Sequence, residues 1–306
     1  MFDFYPRYEE NFAQAQLILF MMGMGATLAP SDFVAVVQKP RSLFVGLIGQ
    51  IFVLPWIAIA LNRWMDLDPG IALGLILVSA MPGGSLSKVF AYLGKANVPL
   101  AISLTLTTTL ATLATVPLML QWLAADYMPQ TFQMPVGKIL TDVSLFLLAP
   151  LAGGMAFARL HPSRAKVFSE ICVRLGLVVV VVIVVASLGS GRISPGAHGW
   201  RAPIAIILFA VLSMQVNMLP FRIFGWSSQD ALAAGIVATM RNMNLALLLA
   251  SSVFSKEDAI EPQVMFVVLF YAGAAMGAGA PLTLRYRYRV HRDVATKPEA
   301  IPTAER

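Results

Sequence analysis

The sequence predicts an all-α polytopic membrane protein with about nine transmembrane helices. Three observations carry that expectation. Of 306 residues, 58% are hydrophobic and only 12% charged, and the mean hydropathy is +0.74; a soluble domain carries roughly 25% charge. The apolar residues fall into runs close to the ~20 residues a membrane-spanning helix needs. Two of those runs are interrupted in the middle, by Pro82-Gly83-Gly84 and by Arg241-Asn242-Met243-Asn244.

In chain order the runs place spans at 13–30, 42–62, 70–94, 97–123, 136–158, 171–189, 201–221, 229–253 and 263–284. The first follows MFDFYPRYEENF, which is acidic and aromatic and lacks the basic start of a cleaved signal peptide. The second opens after Lys39 and Arg41 and contains Gly49-Gln50 and Pro55. The third carries the Pro-Gly-Gly break, and Lys95 separates it from the Thr-rich fourth. Arg159, Arg164, Lys166 and Arg174 surround the junction of the fifth and sixth, and Arg222 follows the seventh. The eighth holds the second interruption, and Arg285, Arg287, Arg289 and Arg292 follow the ninth. With an odd number of spans these cations share one side, while Asp66, Asp68, Asp126, Glu257, Asp258 and Glu261 fall on the other. The positive-inside rule then puts the N-terminus outside and the C-terminus in the cytoplasm, in a bacterial-type inner (plasma) membrane. Residues 291–306, rich in Ala, Pro and charge, are expected to form a disordered cytoplasmic tail.

The breaks matter most. Pro removes a backbone donor, and paired glycines leave the helix cheaply. At membrane depth the freed groups must be satisfied by protein, water or ligand. Broken helices of this kind build the sites of secondary transporters. Spans three and eight lie five apart in order and so have opposite topology, which predicts an inverted repeat of spans two to four against seven to nine.

A charged side chain at mid-membrane costs at least ~2.5–3.5 kcal/mol on insertion scales. Lys88 and Arg241 both bear that cost. Lys88 lies near enough to the end of its span for snorkelling to be a competing account; Arg241 does not. Asp142 and Asp230 are placed near span ends, so neither cation has an evident carboxylate partner inside the membrane. What remains for them is broken-helix carbonyls, polar side chains or an anionic substrate.

Other chemistry is absent from the pattern. The net charge of +6 sits in short loops and the tail, which argues for membrane topology against nucleic-acid binding. The single cysteine, Cys172, reads as a small buried hydrophobe. His161, His198 and His291 form no spaced cluster, so neither a metal nor another cofactor is expected. No nucleophile, base and orienting group occur together, so an enzyme is not expected. The pair Gly273 and Gly277 reads equally as helix packing or function.

The chain resembles the bile acid:sodium symporter family across nearly all its membrane portion. The matching pieces are Gly23-Met24-Gly25 with Leu28 to Phe33, Gly49-Gln50 with Pro55, Pro82-Gly83-Gly84 through Ser87 with Tyr92-Leu93, and Asn242 with Leu245-Ala246. The resemblance implies a panel domain (1–41 and 130–190, spans one, five and six) and a core domain (42–129 and 191–290, spans two to four and seven to nine). It also implies that the two broken helices cross near mid-membrane.

The same resemblance implies two sodium sites, and this chain departs from both. At the first, Ser87 and Thr105 are retained, but Lys88 stands where the family has Asn, Ala101 where it has Ser, and Val237 where it has Glu. At the second, Gln50 is kept, while Arg241 stands where the family has Gln. The shared carboxylate is therefore missing and each site has gained a cation. The expectation is that Lys88 and Arg241 replace the two sodium ions. The function that follows is sodium-independent transport of a small organic anion, bile-acid-like or another amphipathic carboxylate or sulfonate, by alternating access. Two alternatives stay open: proton coupling through Lys88, and a non-transporting membrane receptor for the same ligand. The substrate-binding residues implied are Ser85, Asn242 and Asn244, with Phe270 and Tyr271 where the family has a polar pair. The partners are the lipid bilayer and the organic anion, with the oligomeric state open.

Overall fold

The computed structural model describes residues 5–28, 40–128, 134–191, 195–254 and 260–295. Helix α1 covers Tyr5–Gly25 and α2 Pro40–Met65, the latter with a π-helical turn at Gly49–Val53. Then come α3 (Pro69–Ala80), α4 (Leu86–Leu93), α5 (Val98–Leu123) and α6 (Val136–Leu160), which contains a π-helical stretch at Val143–Leu148. The rest are α7 (Pro162–Gly189), α8 (Arg201–Ile223), α9 (Ser228–Thr239), α10 (Met243–Val253) and α11 (Glu261–Ala295).

Local signals set several of these ends. Proline in the first turn opens α3, α5 and α7, where a missing N–H costs nothing. Asn97 caps α5 by accepting from Leu100 N, and Ser227 caps α9 by accepting from Gln229 N. Asp66 ends α2 in the left-handed conformation, with φ at 49°.

Among the described residues six helices are long and apolar enough to cross a membrane: α2, α5, α6, α7, α8 and the part of α11 up to Arg287. The expectation of about nine differs for a physical reason. The third and eighth expected spans are each two short helices, α3 with α4 and α9 with α10, because the chain leaves the helix at the interruptions. The first expected span lies within α1 as far as Gly25; residues 29 and 30 of it, like Lys39 and the matched residues up to Phe33, fall outside the described residues. Three helices outrun their expected limits, and α1, from Tyr5 rather than 13, is the first. Helix α7 starts at Pro162, well before 171. Helix α11 continues to Ala295, past the expected start of the tail at 291. The remainder of the tail is not described.

Packing sorts the helices into two groups. Helices α1, α6 and α7 pack on one another, and the other eight pack among themselves. The first group is sealed by small residues. A Cβ on Gly25 would collide with Leu151 O, and one on Gly154 with Met22 O, so α1 and α6 approach to backbone contact. The groups meet chiefly where α1 and α6 lie against α10, and where α6 lies against α5. There Lys138 Nζ donates to Ser252 O at 2.6 Å, and Ser252 Oγ donates to the buried Asp142 Oδ2 at 2.8 Å. At the other end Asp230, equally buried, accepts from Ser42 Oγ at 2.9 Å and Asn97 Nδ2 at 2.6 Å, pinning α2, α5 and α9 together. Gly273 and Gly277 are exposed, and among the described residues nothing lies within 4 Å of a Cβ added to either.

Candidate functional site

The two broken segments meet. Gly83 and Arg241 form an isolated antiparallel bridge, with Gly84 N donating to Met240 O at 2.6 Å and Asn242 N to Pro82 O at 2.9 Å. Backbone freed by each break thus satisfies the other, which is what burial at this depth requires. The glycines permit the approach: a Cβ on Gly84 would lie 2.6 Å from Arg241 O, and one on Gly83 2.6 Å from Val237 Cγ1.

Arg241 lies at the centre of this crossing and is only 5% exposed. Its Nη1 donates to Gln50 Oε1 at 3.2 Å, and its Nη2 to Gln50 O at 3.1 Å and Ser79 O at 3.3 Å. Both main-chain acceptors are available for a stated reason. In an α-helix Gln50 O would accept from residue 54, but in the π-turn Leu54 N donates to Gly49 O instead. The next candidate, Pro55, has no N–H. Ser79 O would accept from Gly83 N, but that amide has left the helix and donates to Thr108 Oγ1 at 3.2 Å. The guanidinium therefore caps the C-terminal end of α3, the negative end of the helix dipole. Gln50 Nε2 and Arg241 Nε have no hydrogen-bond partner among the described residues. Both residues line a void of about 10 Å³, too small for an organic ligand.

The positions that the resemblance ties to the first sodium site have a different environment. Ser87 Oγ donates to Gly84 O at 2.7 Å and pairs with Thr105 Oγ1 at 3.0 Å, so the two retained hydroxyls satisfy each other. Ala101 and Val237 are fully buried in one hydrophobic cluster with Leu104, Ala233 and Met240. Lys88 is half-buried, and its Nζ donates to Thr27 Oγ1, 2.8 Å away, just past the end of α1. The Thr27 hydroxyl itself donates to Met24 O at 2.8 Å, which fixes its role as acceptor towards the lysine.

Lys88 thereby reaches a cavity of about 180 Å³ between the two helix groups. Met24, Thr27 and Leu28 wall it from the side of α1, Gly84, Ser85, Ser87 and Lys88 from the start of α4, and Ile102 and Thr105 from α5. Of the residues expected to bind substrate, Ser85 alone is in this lining. Asn242 is buried and uses its Oδ1 to cap α10, accepting from Leu245 N at 3.2 Å. Asn244 and Phe270 are partly buried and do not line the cavity. Tyr271 is fully buried, donates from its hydroxyl to Thr239 O at 2.9 Å, and meets the Phe209 ring at a tilt of 49°. It thereby supports the end of α9. Among the described residues no group of His, Cys, Asp and Glu could hold a metal ion, and Cys172 is free and buried.

The model of the Sodium Bile acid symporter family matches residues 15–194. The "Uncharacterized sodium-dependent transporter YocS" of Bacillus subtilis is 27% identical over 253 residues, covering 82% of this chain and 76% of that protein. The "Ileal sodium/bile acid cotransporter" of Oryctolagus cuniculus is 24% identical, over 79% of this chain and 70% of its own length. The "Probable sodium/metabolite cotransporter BASS1, chloroplastic" of Arabidopsis thaliana is 27% identical over 80% of this chain, which spans 60% of that longer protein. The family match runs from within α1 to the end of α7 and so includes the first break, with Gln50 and Ser79, the partners that Arg241 meets across the crossing. On that ground the chain belongs to the sodium bile acid symporter family and is a membrane transporter, not an enzyme.

Proposed function

We propose that the chain is a sodium-independent carrier of an organic anion, working by alternating access. The single observation behind this reading is the buried guanidinium of Arg241, held by Gln50 Oε1, Gln50 O and Ser79 O at the crossing. Arg stays charged at any physiological pH. A cation fixed there repels a second one and supplies the positive charge that a bound sodium ion would bring. At the other position the argument is the lack of ligands. Sodium is a hard cation that wants several oxygens, and Ala101 and Val237 offer none while Ser87 and Thr105 bind one another.

In this reading α1, α6 and α7 form a panel and the remaining helices a core related by an inverted repeat. Counting each broken pair as one crossing gives nine spans, with the N-terminus outside and the C-terminus in the cytoplasm. The relatives named a sodium-dependent transporter and a sodium/bile acid cotransporter bear on the reading directly, because their names set the behaviour from which this chain is expected to depart.

The test uses linkage: a ion that binds the folded state raises its unfolding midpoint. Purified protein should unfold at the same temperature in sodium chloride and in choline chloride at equal ionic strength. Uptake of isovalerate or taurocholate into proteoliposomes should likewise be indifferent to the exchange. The fourfold variant Lys88→Asn, Ala101→Ser, Val237→Glu, Arg241→Gln should gain a sodium-specific rise in midpoint. Sodium-specific stabilisation or uptake in the unaltered protein would sink the proposal, and uptake driven only by a pH gradient would transfer the coupling to protons.

A further inference from the structure

We infer that the first turns of α6, Val136–Asp142, are a gate that Lys138, Asp142 and Ser252 latch shut. This inference rests on the reading of the chain as an alternating-access carrier and names the contact that must break when the carrier changes face. Three observations converge on it. First, the space between the two helix groups is unequal on the two sides of the crossing. Helices α4 and α10 leave the crossing, and in that reading they leave it towards opposite faces. Where α4 begins and α1 finishes, a cavity of about 180 Å³ separates the groups. Where α10 finishes, side chains from both groups close the space.

Second, the closing contact is compact and largely shielded from water. Lys138 and Asp142 stand one turn apart on α6 and both bind Ser252, near the end of α10. Lys138 Nζ donates to Ser252 O at 2.6 Å, and Ser252 Oγ donates to Asp142 Oδ2 at 2.8 Å. Asp142 is only 5% exposed. Hydroxyl bonds to carboxylates are among the stronger ones, so the closed arrangement is held by a few defined atoms. Parting the groups hands those atoms to water. Third, α6 has a joint between this contact and its anchor. Its later part, Ala149–Leu160, is fixed to α1 by the backbone contacts at Gly25 and Gly154, whereas Val136–Asp142 packs on α5 and α10. Between them runs the π-helical stretch Val143–Leu148, and Pro150 just beyond it offers no N–H to Phe146 O. Helices bend where the backbone ladder is interrupted in this way. The first turns can therefore swing away from α10 while the contact with α1 stays intact.

Labelling of a cysteine in the cavity tests the latch. Ile102→Cys, in the cavity wall, reports which face of the membrane can reach it, and the buried native Cys172 sets the background. A membrane-impermeant maleimide is applied to right-side-out and to inside-out vesicles holding the full-length protein. With the latch intact the reporter should be labelled from one face only. Ser252→Ala leaves the Asp142 carboxylate without that donor in the closed state, while in the open state water replaces it, so the equilibrium moves towards opening. Labelling from the opposite face should rise about tenfold to a hundredfold, the range of one hydrogen bond to a charged group. Lys138→Met should act in the same direction by a smaller factor, and Ser252→Thr, which keeps the hydroxyl, should stay within a few-fold of the unaltered protein. Unchanged opposite-face labelling in Ser252→Ala would overturn the proposal. So would labelling that reaches Cys172 or rises equally from both faces, since that marks loosened folding and not a gate. Labelling needs neither substrate nor sodium, which separates this inference from the sodium proposal. Sodium-dependent uptake beside a latch that opens as expected overturns the role of Arg241 only, and sodium-independent uptake beside a reporter still sealed in Ser252→Ala overturns the latch only.

Discussion

Gly84→Ala is expected to abolish transport and to cost about 3 kcal/mol of stability. The added methyl would lie 2.6 Å from Arg241 O and 3.0 Å from Met240 O. Both are backbone atoms, so no side chain can rotate away to make room. Relief requires the two broken segments to part, which lengthens the 2.6 Å bond from Gly84 N to Met240 O and exposes both groups in an apolar surrounding. The same substitution at Gly153, where nothing lies within 4 Å of an added Cβ, should leave stability and uptake unchanged. Thermal unfolding in detergent and uptake into proteoliposomes read the contrast. A Gly84→Ala protein that melts and transports like Gly153→Ala would show that the crossing tolerates being opened.

Arg241→Met should be the next most damaging change. It keeps much of the side-chain volume and strands three acceptors, Gln50 Oε1, Gln50 O and Ser79 O. A buried polar group left without a partner costs about 1–3 kcal/mol. Removing the charge also removes its desolvation penalty, which offsets part of the loss. A net destabilisation of about 2–4 kcal/mol is expected, seen as a lower unfolding midpoint. Guanidinium ion added at millimolar concentration should restore part of it, because the small cation fits the acceptors that the side chain vacated. Unchanged stability without guanidinium would mean that the crossing does not depend on its cation.

Much of this site was legible in the sequence, and the rest was hidden for identifiable reasons. The break at Pro82-Gly83-Gly84 could be read because Pro and Gly act on the backbone directly. Arg241 could be placed because a guanidinium far from either end of an apolar run has few ways to be satisfied. Lys88 was harder: depth along a span says nothing about which face a side chain takes, and its face turned out to be that of Thr27. Asn242 also caps α10, a signal present in its spacing of three residues to Leu245, while its buried Nδ2 has no hydrogen-bond partner among the described residues. Tyr271 faces Thr239 across helices that only the fold brings together. The π-turn at Gln50 follows from Leu54 pairing one residue further back, a tertiary compromise with no periodicity to announce it, although Pro55 in retrospect marks the carbonyl that would need another donor. Asp230 lies near a span end, as its position in the sequence suggests, but the hydrogen bonds from Ser42 and Asn97 that satisfy its buried carboxylate come from helices only the fold brings together.

The covalent attachment of the Arg241 charge has a consequence for the energetics of a full cycle. A sodium ion crosses with the substrate and stays behind; a guanidinium makes the outward and return journeys alike, so its work against the membrane voltage cancels. If the tethered-cation reading holds, the net charge moved per turnover is that of the substrate. For a monoanion and an inside-negative potential of about 100 mV, this amounts to ~2.3 kcal/mol favouring exit, or roughly fifty-fold in concentration. Voltage alone would then make the protein an exporter, whereas two co-transported sodium ions would make the same fold an importer, and reversing an imposed potential across proteoliposomes would reverse the flux.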